Sequence, residues 1–200
     1  VTERLGLVGR VNYGRYEAQE ALTNEYDNVG VFVGGNYALS ERSSLRAQLG
    51  LRRTEQTREL PGGGDFTESS SGPVYFLRYF RRFEAGGGLD IEARRELAPS
   101  GSAQVLDTTG LDIKIRVPVT GRWGFGVAAE AFRNRRPDGR GSLQDRKYAS
   151  IEPGVNYRID ETLTLSASYR FRWQDREQLP DDAMSNAVFL TLNWTRPWDL

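Results

Sequence analysis

The chain has 200 residues, 38% hydrophobic and 27% charged, with 27 basic and 27 acidic side chains and a formal charge of zero. No apolar run approaches the ~18 residues of a membrane-spanning helix. With neither histidine nor cysteine, the usual nucleophile–base pairs, thiolate chemistry, disulfides and most metal sites drop out, and the balanced charge offers nucleic acid no basic surface.

Ten segments alternate apolar and polar residues with period two, the pattern of a strand with one apolar face. In the first, Leu5, Leu7, Val11 and Tyr13 face away from Arg10 and Asn12. The second sets Val29, Val31, Val33, Tyr37 and Leu39 against Asn28, Gly30, Gly34 and Asn36. The third sets Leu45, Ala47, Leu49 and Leu51 against Arg46, Gln48 and Arg52. Tyr75, Leu77, Tyr79 and Phe83 then oppose Arg78 and Arg82, and a short fifth segment opposes Leu89, Ile91 and Ala93 to Asp90, Glu92 and Arg94. Thr109, Leu111, Ile113, Ile115 and Val117 lie opposite Asp112, Lys114 and Arg116. Trp123, Phe125, Val127, Ala129 and Ala131 lie opposite Gly124, Gly126, Ala128 and Glu130. In the eighth segment Ile151, Val155, Tyr157 and Ile159 oppose Glu152, Asn156 and Arg158. The clearest segment runs from Leu163 to Trp173, its odd residues apolar and its even ones Thr164, Ser166, Ser168, Arg170 and Arg172. Val188, Leu190, Leu192 and Trp194 close the set opposite Thr191 and Asn193.

The links between these segments alternate in length. Ser40–Arg42, Glu84–Gly88, Pro118–Arg122 and Asp160–Thr162 are tight and carry turn residues. Glu17–Glu25, Glu55–Gly72, Arg95–Ser102, Arg133–Lys147 and Gln174–Ser185 are polar and read as long loops. The sequence therefore predicts an all-β fold: a transmembrane antiparallel up-and-down β-barrel of about ten strands, one domain over residues 1–200. Short turns would lie in the periplasm and long loops outside. A strand of about 11 residues tilted near 40° covers roughly 28 Å, enough for an apolar band of about 25 Å. Aromatic residues at strand ends fit membrane interfaces: Tyr37, Phe83, Trp123, Tyr157 and Trp194 on the turn side, and Tyr13, Tyr75, Tyr148 and Trp173 on the loop side. The chain has no initiator Met and no signal peptide, so the expectation is a mature or trimmed form of an exported protein.

All the basic residues except Lys114 and Lys147 are arginine, whose planar fork suits paired, half-desolvated positions. The expected lumen lining mixes both signs: Arg10, Arg46, Arg52, Arg78, Arg82, Lys114, Arg116, Arg158, Arg170 and Arg172 with Asp90, Glu92, Asp112, Glu130 and Glu152. Pro153 falls inside a strand and predicts a bulge. Arg81 has the lipid parity and must reach for headgroups from the interface.

No catalytic residues, cofactor or metal ligands are assigned. Asp90 and Glu92 could do acid–base work, but salt-bridged filling explains them as well. Gly62–Gly64 and Gly86–Gly88 lack the Lys and Ser/Thr of a phosphate loop and read as loop and turn. Asp175, Asp181 and Asp182 are oxygen donors of the kind Ca²⁺ takes, with a solvated loop as the plainer reading. Arg133, Arg135, Arg136, Arg140 and Arg146 could grip lipopolysaccharide phosphates or stand as simple surface charge.

The pattern of Asn28–Leu39, Ser40–Arg42 and Leu45–Arg52, followed later by Leu163–Trp173 and Ser185–Trp194, resembles bacterial outer-membrane β-barrel proteins of the porin-like class. The stretch from Ser185 to Leu192 is similar to closing strands of barrels associated with polysaccharide export. The resemblance implies a bacterial outer-membrane location, contact with outer-membrane lipid and lipopolysaccharide, and insertion by the barrel-assembly machinery. The expected function is a non-enzymatic narrow pore or structural barrel passing at most a small solute or polysaccharide. The alternatives are a surface-binding barrel using its long loops, one component of a larger export assembly, and a soluble barrel with the two faces exchanged.

Overall fold

The computed structural model describes residues 4–19, 23–59, 63–99, 105–136, 145–176 and 181–195. Ten strands run up and down, each antiparallel to the next and in chain order across one sheet. They are β1 (Leu5–Gln19), β2 (Thr23–Ser40), β3 (Ser43–Glu59), β4 (Asp65–Arg82), β5 (Gly88–Pro99), β6 (Val105–Pro118), β7 (Trp123–Arg135), β8 (Arg146–Arg158), β9 (Leu163–Arg176) and β10 (Ala183–Trp194). The sheet is not closed: β1 and β10 are its two edges.

Hydrogen-bonded rungs link residues of one parity, so each face can be followed across all ten strands. One rung reads Leu7, Gly35, Ala47, Leu77, Ala93, Leu111, Ala131, Ala149, Trp173, Met184. The rung beside it, on the other face, reads Gly6, Asn36, Arg46, Arg78, Glu92, Asp112, Glu130, Ser150, Arg172, Ser185. The apolar face is the bare one: Val11, Val188 and Leu190 are 73%, 72% and 74% exposed. The polar face is the inner one, because side chains of non-adjacent strands meet across it. Phe32 of β2 packs with Val74 of β4, and with Leu97 and Val105 from β5 and β6.

Four tight turns join the strands at one end as expected, by side-chain and glycine chemistry. Asp160 Oδ1 accepts from the Thr162 amide (2.7 Å), the Thr162 hydroxyl (2.9 Å) and the Leu163 amide (2.8 Å), an Asx turn that fixes the β8–β9 hairpin. Thr120 Oγ1 accepts from the amides of Arg122 and Trp123 before β7. Between β4 and β5, Gly86 and Gly87 have φ of +90° and +72°. A Cβ on Gly87 would stand 2.2 Å from the Arg116 carbonyl oxygen, so only glycine fits.

At the opposite end the strands outrun the sequence reading. Most of Glu55–Gly72 is not loop: β3 and β4 pair without a break from Ser43↔Arg81 to Glu59↔Asp65. Likewise β1 and β2 pair as far as Gln19↔Thr23, and β5 and β6 as far as Pro99↔Val105. The β3–β4 extension is largely polar on both faces, and the β5–β6 end sets Leu97 beside Ala98 and Val105 beside Leu106, so no alternation marks them, yet backbone pairing needs none. No bulge forms at Pro153. The β8–β9 register is the same on both sides of it, Ile151↔Phe171 and Gly154↔Ser168, and only the two rungs between lapse. The shift that does occur lies between Ala38 and Ser40, at the β2–β3 turn.

Candidate functional site

The inner face gathers the charge. Arg78 of β4 holds Asp90 of β5 with two bonds, Nε at 2.9 Å and Nη2 at 2.5 Å, the bidentate fork that distinguishes arginine from lysine. Arg94 lies 3.0 Å from Glu92 and 3.2 Å from Asp112. The first contact is a hydrogen bond; the second is an ion pair only, and Asp112 Oδ2 has no hydrogen-bond partner. On β8 and β9, Glu152 accepts from Arg170 Nε at 2.5 Å and from the Ser168 hydroxyl at 2.9 Å. The Arg170 guanidinium also lies over the Phe189 ring of β10, 4.7 Å from its centroid.

Register orders these groups into sectors. Arg46 and Arg78 are adjacent on one rung, then Glu92, Asp112 and Glu130, then Ser150 and Arg172. Lys114 is opposite Asp90. Arg46 Nε donates to Asn36 Oδ1 at 2.6 Å. Arg10 is opposite Phe32, Arg52 opposite Gly30 and Gly72, and Arg82 and Arg116 both opposite Gly88. Arg158, at the end of β8, donates to the Gly121 carbonyl in the neighbouring turn. All fifteen charged residues expected on one face thus share its parity.

Small side chains open a groove beside the charge. Gly124, Gly126, Ala128, Gly154, Asn156 and Ser166 help line a hollow of about 500 Å³ toward the turn end. Aromatic side chains also face inward, beyond the charged lining expected there. Phe132 and Tyr148 stack at 4.8 Å, with the Arg146 guanidinium 4.6 Å above the Phe132 ring. Tyr148, expected at the membrane interface, therefore has inner parity, opposite Phe132 and Gln174. Phe32, Phe76 and Phe80 share that parity. The signal was in the sequence: each is an even-numbered residue in a strand whose odd residues are apolar.

The other expected interface aromatics lie on the apolar face or at its ends. Trp123 and Tyr157 are adjacent, with ring centroids 4.6 Å apart. Tyr37 is opposite Leu5 and Leu45, Tyr75 opposite Leu49, and Trp194 opposite Leu163. Phe83 is in the turn just past β4. Tyr13 donates to Asp27 at 3.2 Å and Trp173 Nε1 to Asp182 at 2.9 Å, both at the loop end. Arg81, exposed, is next to last in β4.

Among the loop-end candidates, Asp175 pairs with Lys147 at 2.9 Å, and no group of acidic residues with metal-site geometry occurs among the described residues. Arg135 reaches Asp107 and Arg136 reaches Glu68. Arg140 and Gly62 lie outside the described residues.

No protein-family model matches the chain, and no curated protein matches it in sequence. Among the solved structures similar to it are two autotransporter domains. The translocator domain of the autotransporter NalP from Neisseria meningitidis aligns at 13% identity and a TM-score of 0.37, covering 98% of this chain and 75% of that one. The beta domain of the Bordetella autotransporter Brka aligns at 16% identity and a TM-score of 0.34, covering 96% and 91%.

Proposed function

We infer that this chain is a non-enzymatic outer-membrane β-barrel whose apolar face meets lipid and whose charged inner face lines a narrow pore. One observation carries the reading. Leu7, Val11, Val33, Leu49, Leu51 and Leu190 are each more than 60% exposed on one continuous face. The buried hydrophobic core, by contrast, amounts to Tyr26, Val74, Leu97 and Val105 among the described residues. Soluble monomers rarely leave so large an apolar surface open, whereas lipid removes the cost of doing so. Among the described residues no helix is long and apolar enough to cross a membrane.

The partners that follow are outer-membrane lipid, lipopolysaccharide and the assembly machinery that inserts barrels, with a small solute or polysaccharide as cargo. Ten strands are only slightly wider than the eight that side chains just fill, and ion-paired arginines occupy the space. Any path is therefore constricted. The surface-binding alternative has less loop to work with, because most of Glu55–Gly72 is paired strand.

The test has two arms. The purified chain is expected to fold in detergent or lipid and to aggregate in plain buffer; a folded, monodisperse chain in buffer overturns the membrane assignment. In planar bilayers, small intermittent conductance steps are expected, and large steady steps would contradict a filled lumen.

A further inference from the structure

We propose that solute crosses the barrel off its axis, along the inner face of β6–β9, and that the turn-end hollow in that wall is a binding vestibule for small carboxylate or phosphate anions. The proposal rests on the pore reading above and names the route and the class of solute.

Space on the inner face is unevenly shared. On the β2–β5 side it is filled, with Phe32, Phe76 and Phe80 at inner parity. The β4–β5 ladder ends at Tyr75↔Arg95. Past it β5 turns inward, so that Leu97, 2% exposed, packs with Val74 and Phe32. On the β6–β9 side the same face is bare. The turn-end hollow of about 500 Å³ adjoins a second of about 290 Å³ toward the loop end, and the two share Lys114, Ala128 and Glu152. Together they extend along β8 from Asn156 to Tyr148. That length of about eight residues rises about 26 Å, or about 20 Å along the membrane normal at a tilt near 40°. It covers most of an apolar band about 25 Å tall.

Charge is uneven as well. In mid-wall the arginines are engaged by acids: Arg78 by Asp90, Arg94 by Glu92 and Arg170 by Glu152. The rungs nearest the turns differ. One reads Arg82, Gly88, Arg116, Gly126, Gly154, Ser168, Phe189. The next reads Pro118, Gly124, Asn156, Ser166, Thr191, and the last Arg158, Thr164, Asn193. They hold arginines and no carboxylate. The nearby acids stand in the turns themselves: Asp160 accepts hydrogen bonds within its own turn, Glu84 pairs with Arg42, and Glu41 and Glu161 are exposed.

Arg116 leans into the hollow. Its Cγ lies 3.9 Å from where a Cβ on Gly126 would stand, so its stem follows the bare β7 backbone. It is in no ion pair among the described residues. The Asn156 amide lies over Gly124, where a Cβ would stand 2.5 Å from Oδ1 and 3.0 Å from Nδ2. An anion seated here meets the planar guanidinium fork, with Lys114, Asn156 and Ser166 lining the same space. A hollow of this volume suits a small molecule. Its lining has inner parity, so lipid headgroups on the other face do not reach it.

The test is ion selectivity in planar phosphatidylcholine bilayers under a steep potassium chloride gradient. The wild-type reversal potential is expected to show chloride selectivity, and Arg116→Glu to move it toward potassium. Inorganic phosphate is expected to block the chloride current, and the half-blocking concentration should rise about tenfold in Arg116→Gln. For the route, Ala128→Trp fills the place where the hollows meet, and Ser44→Trp adds the same bulk on the same rung at β3. The first is expected to cut conductance about threefold or more, the second less. Folding of each variant is checked by circular dichroism in detergent, and Ala128→Leu stands in should the tryptophan unfold the chain. A conducting wild type that is potassium-selective, or that phosphate does not block, overturns the vestibule but leaves the pore. So do selectivity and block that the Arg116 variants leave unchanged. Ser44→Trp blocking as strongly as the Ala128 variant overturns the route. A folded wild type that is silent in bilayers overturns the pore and the proposal with it.

Discussion

Placing a cation at the middle of the apolar band separates a lipid-facing sheet from a water-facing one. Val33 is 68% exposed and lies midway between Val29 and the ring of Tyr37 on the apolar face of β2. Each of these two residues is about 13 Å away along the strand, or about 10 Å along the membrane normal at a tilt near 40°. A guanidinium there cannot reach either interface without deforming the strand or the bilayer. Val33→Arg is therefore expected to cost about 2–4 kcal/mol in lipid vesicles, and Val29→Arg at the rim about 0–1. At a water-exposed position neither change should exceed about 0.5 kcal/mol. Denaturant unfolding from vesicles, followed by tryptophan fluorescence, measures both. Equal small effects at the two positions would refute the lipid-facing assignment, because depth dependence is what water does not impose.

Other expectations follow from local geometry. Gly87→Ala puts a Cβ 2.2 Å from the Arg116 carbonyl oxygen at a φ of +72° and should destabilise by about 2 kcal/mol or more. Gly86→Ala, where the nearest atom is Pro118 Cγ at 3.5 Å, should cost less in the same unfolding assay. A double-mutant cycle on Arg78→Ala and Asp90→Ala should give a coupling of about 0.5–1 kcal/mol. The geometry is bidentate, but the side chains are 43% and 26% exposed. The Asp160 carboxylate is held below its usual range by hydrogen bonds from the Thr162 amide, then from the Thr162 hydroxyl. Its contribution is present above the unfolded pKa and is lost as pH falls through the lower folded value. Asp160→Asn should remove that acid-limb dependence from the unfolding midpoint and lower the midpoint at neutral pH toward the value the native chain shows in acid.

The sequence displays a strand most plainly where its two faces meet different surroundings. Inside the band, Leu163–Trp173 alternates apolar with polar, and strand, face and tight turn could all be read. Above the band, Arg53 to Glu59 and Asp65 to Ser71 have polar residues on both faces, and composition reads as loop although the backbone is fully paired. The charged wall was legible for the same reason as the band: parity assigns the face, and arginine with carboxylate predicts pairing. Which arginine meets which acid was not legible, because partners such as Arg170 and Glu152 depend on register, and period two is silent about register. The inward turn of β5 was equally hidden. Leu97 carries the apolar parity, and only the lapse of the β4–β5 ladder sends it inside.

The free edges of β1 and β10 allow one more deduction. A strand tilt near 40°, with a rise of ~3.3 Å per residue and a strand spacing of ~4.8 Å, requires an offset of about 1.2 residues per strand. Ten strands then require an offset of about twelve. The rung that starts at Leu5 passes Tyr37, Leu45, Tyr79, Ile91, Ile113, Ala129, Ile151 and Phe171 to Asn186. On closure Asn186 should therefore face Glu17, which brings Leu192 opposite Val11 and Leu190 opposite Tyr13. That register matches apolar with apolar, for Val11 and Leu192 are 73% and 62% exposed on the same face. In lipid, Val11→Cys/Leu192→Cys is expected to oxidise within one chain, more readily than Val11→Cys paired with Leu190→Cys or Trp194→Cys. A preference for Leu190 or Trp194 would correct the tilt by about two residues of offset. Links formed only between chains would refute closure altogether: each sheet would then be completed by a second copy, and the lumen would be twice the circumference assumed for a constricted pore.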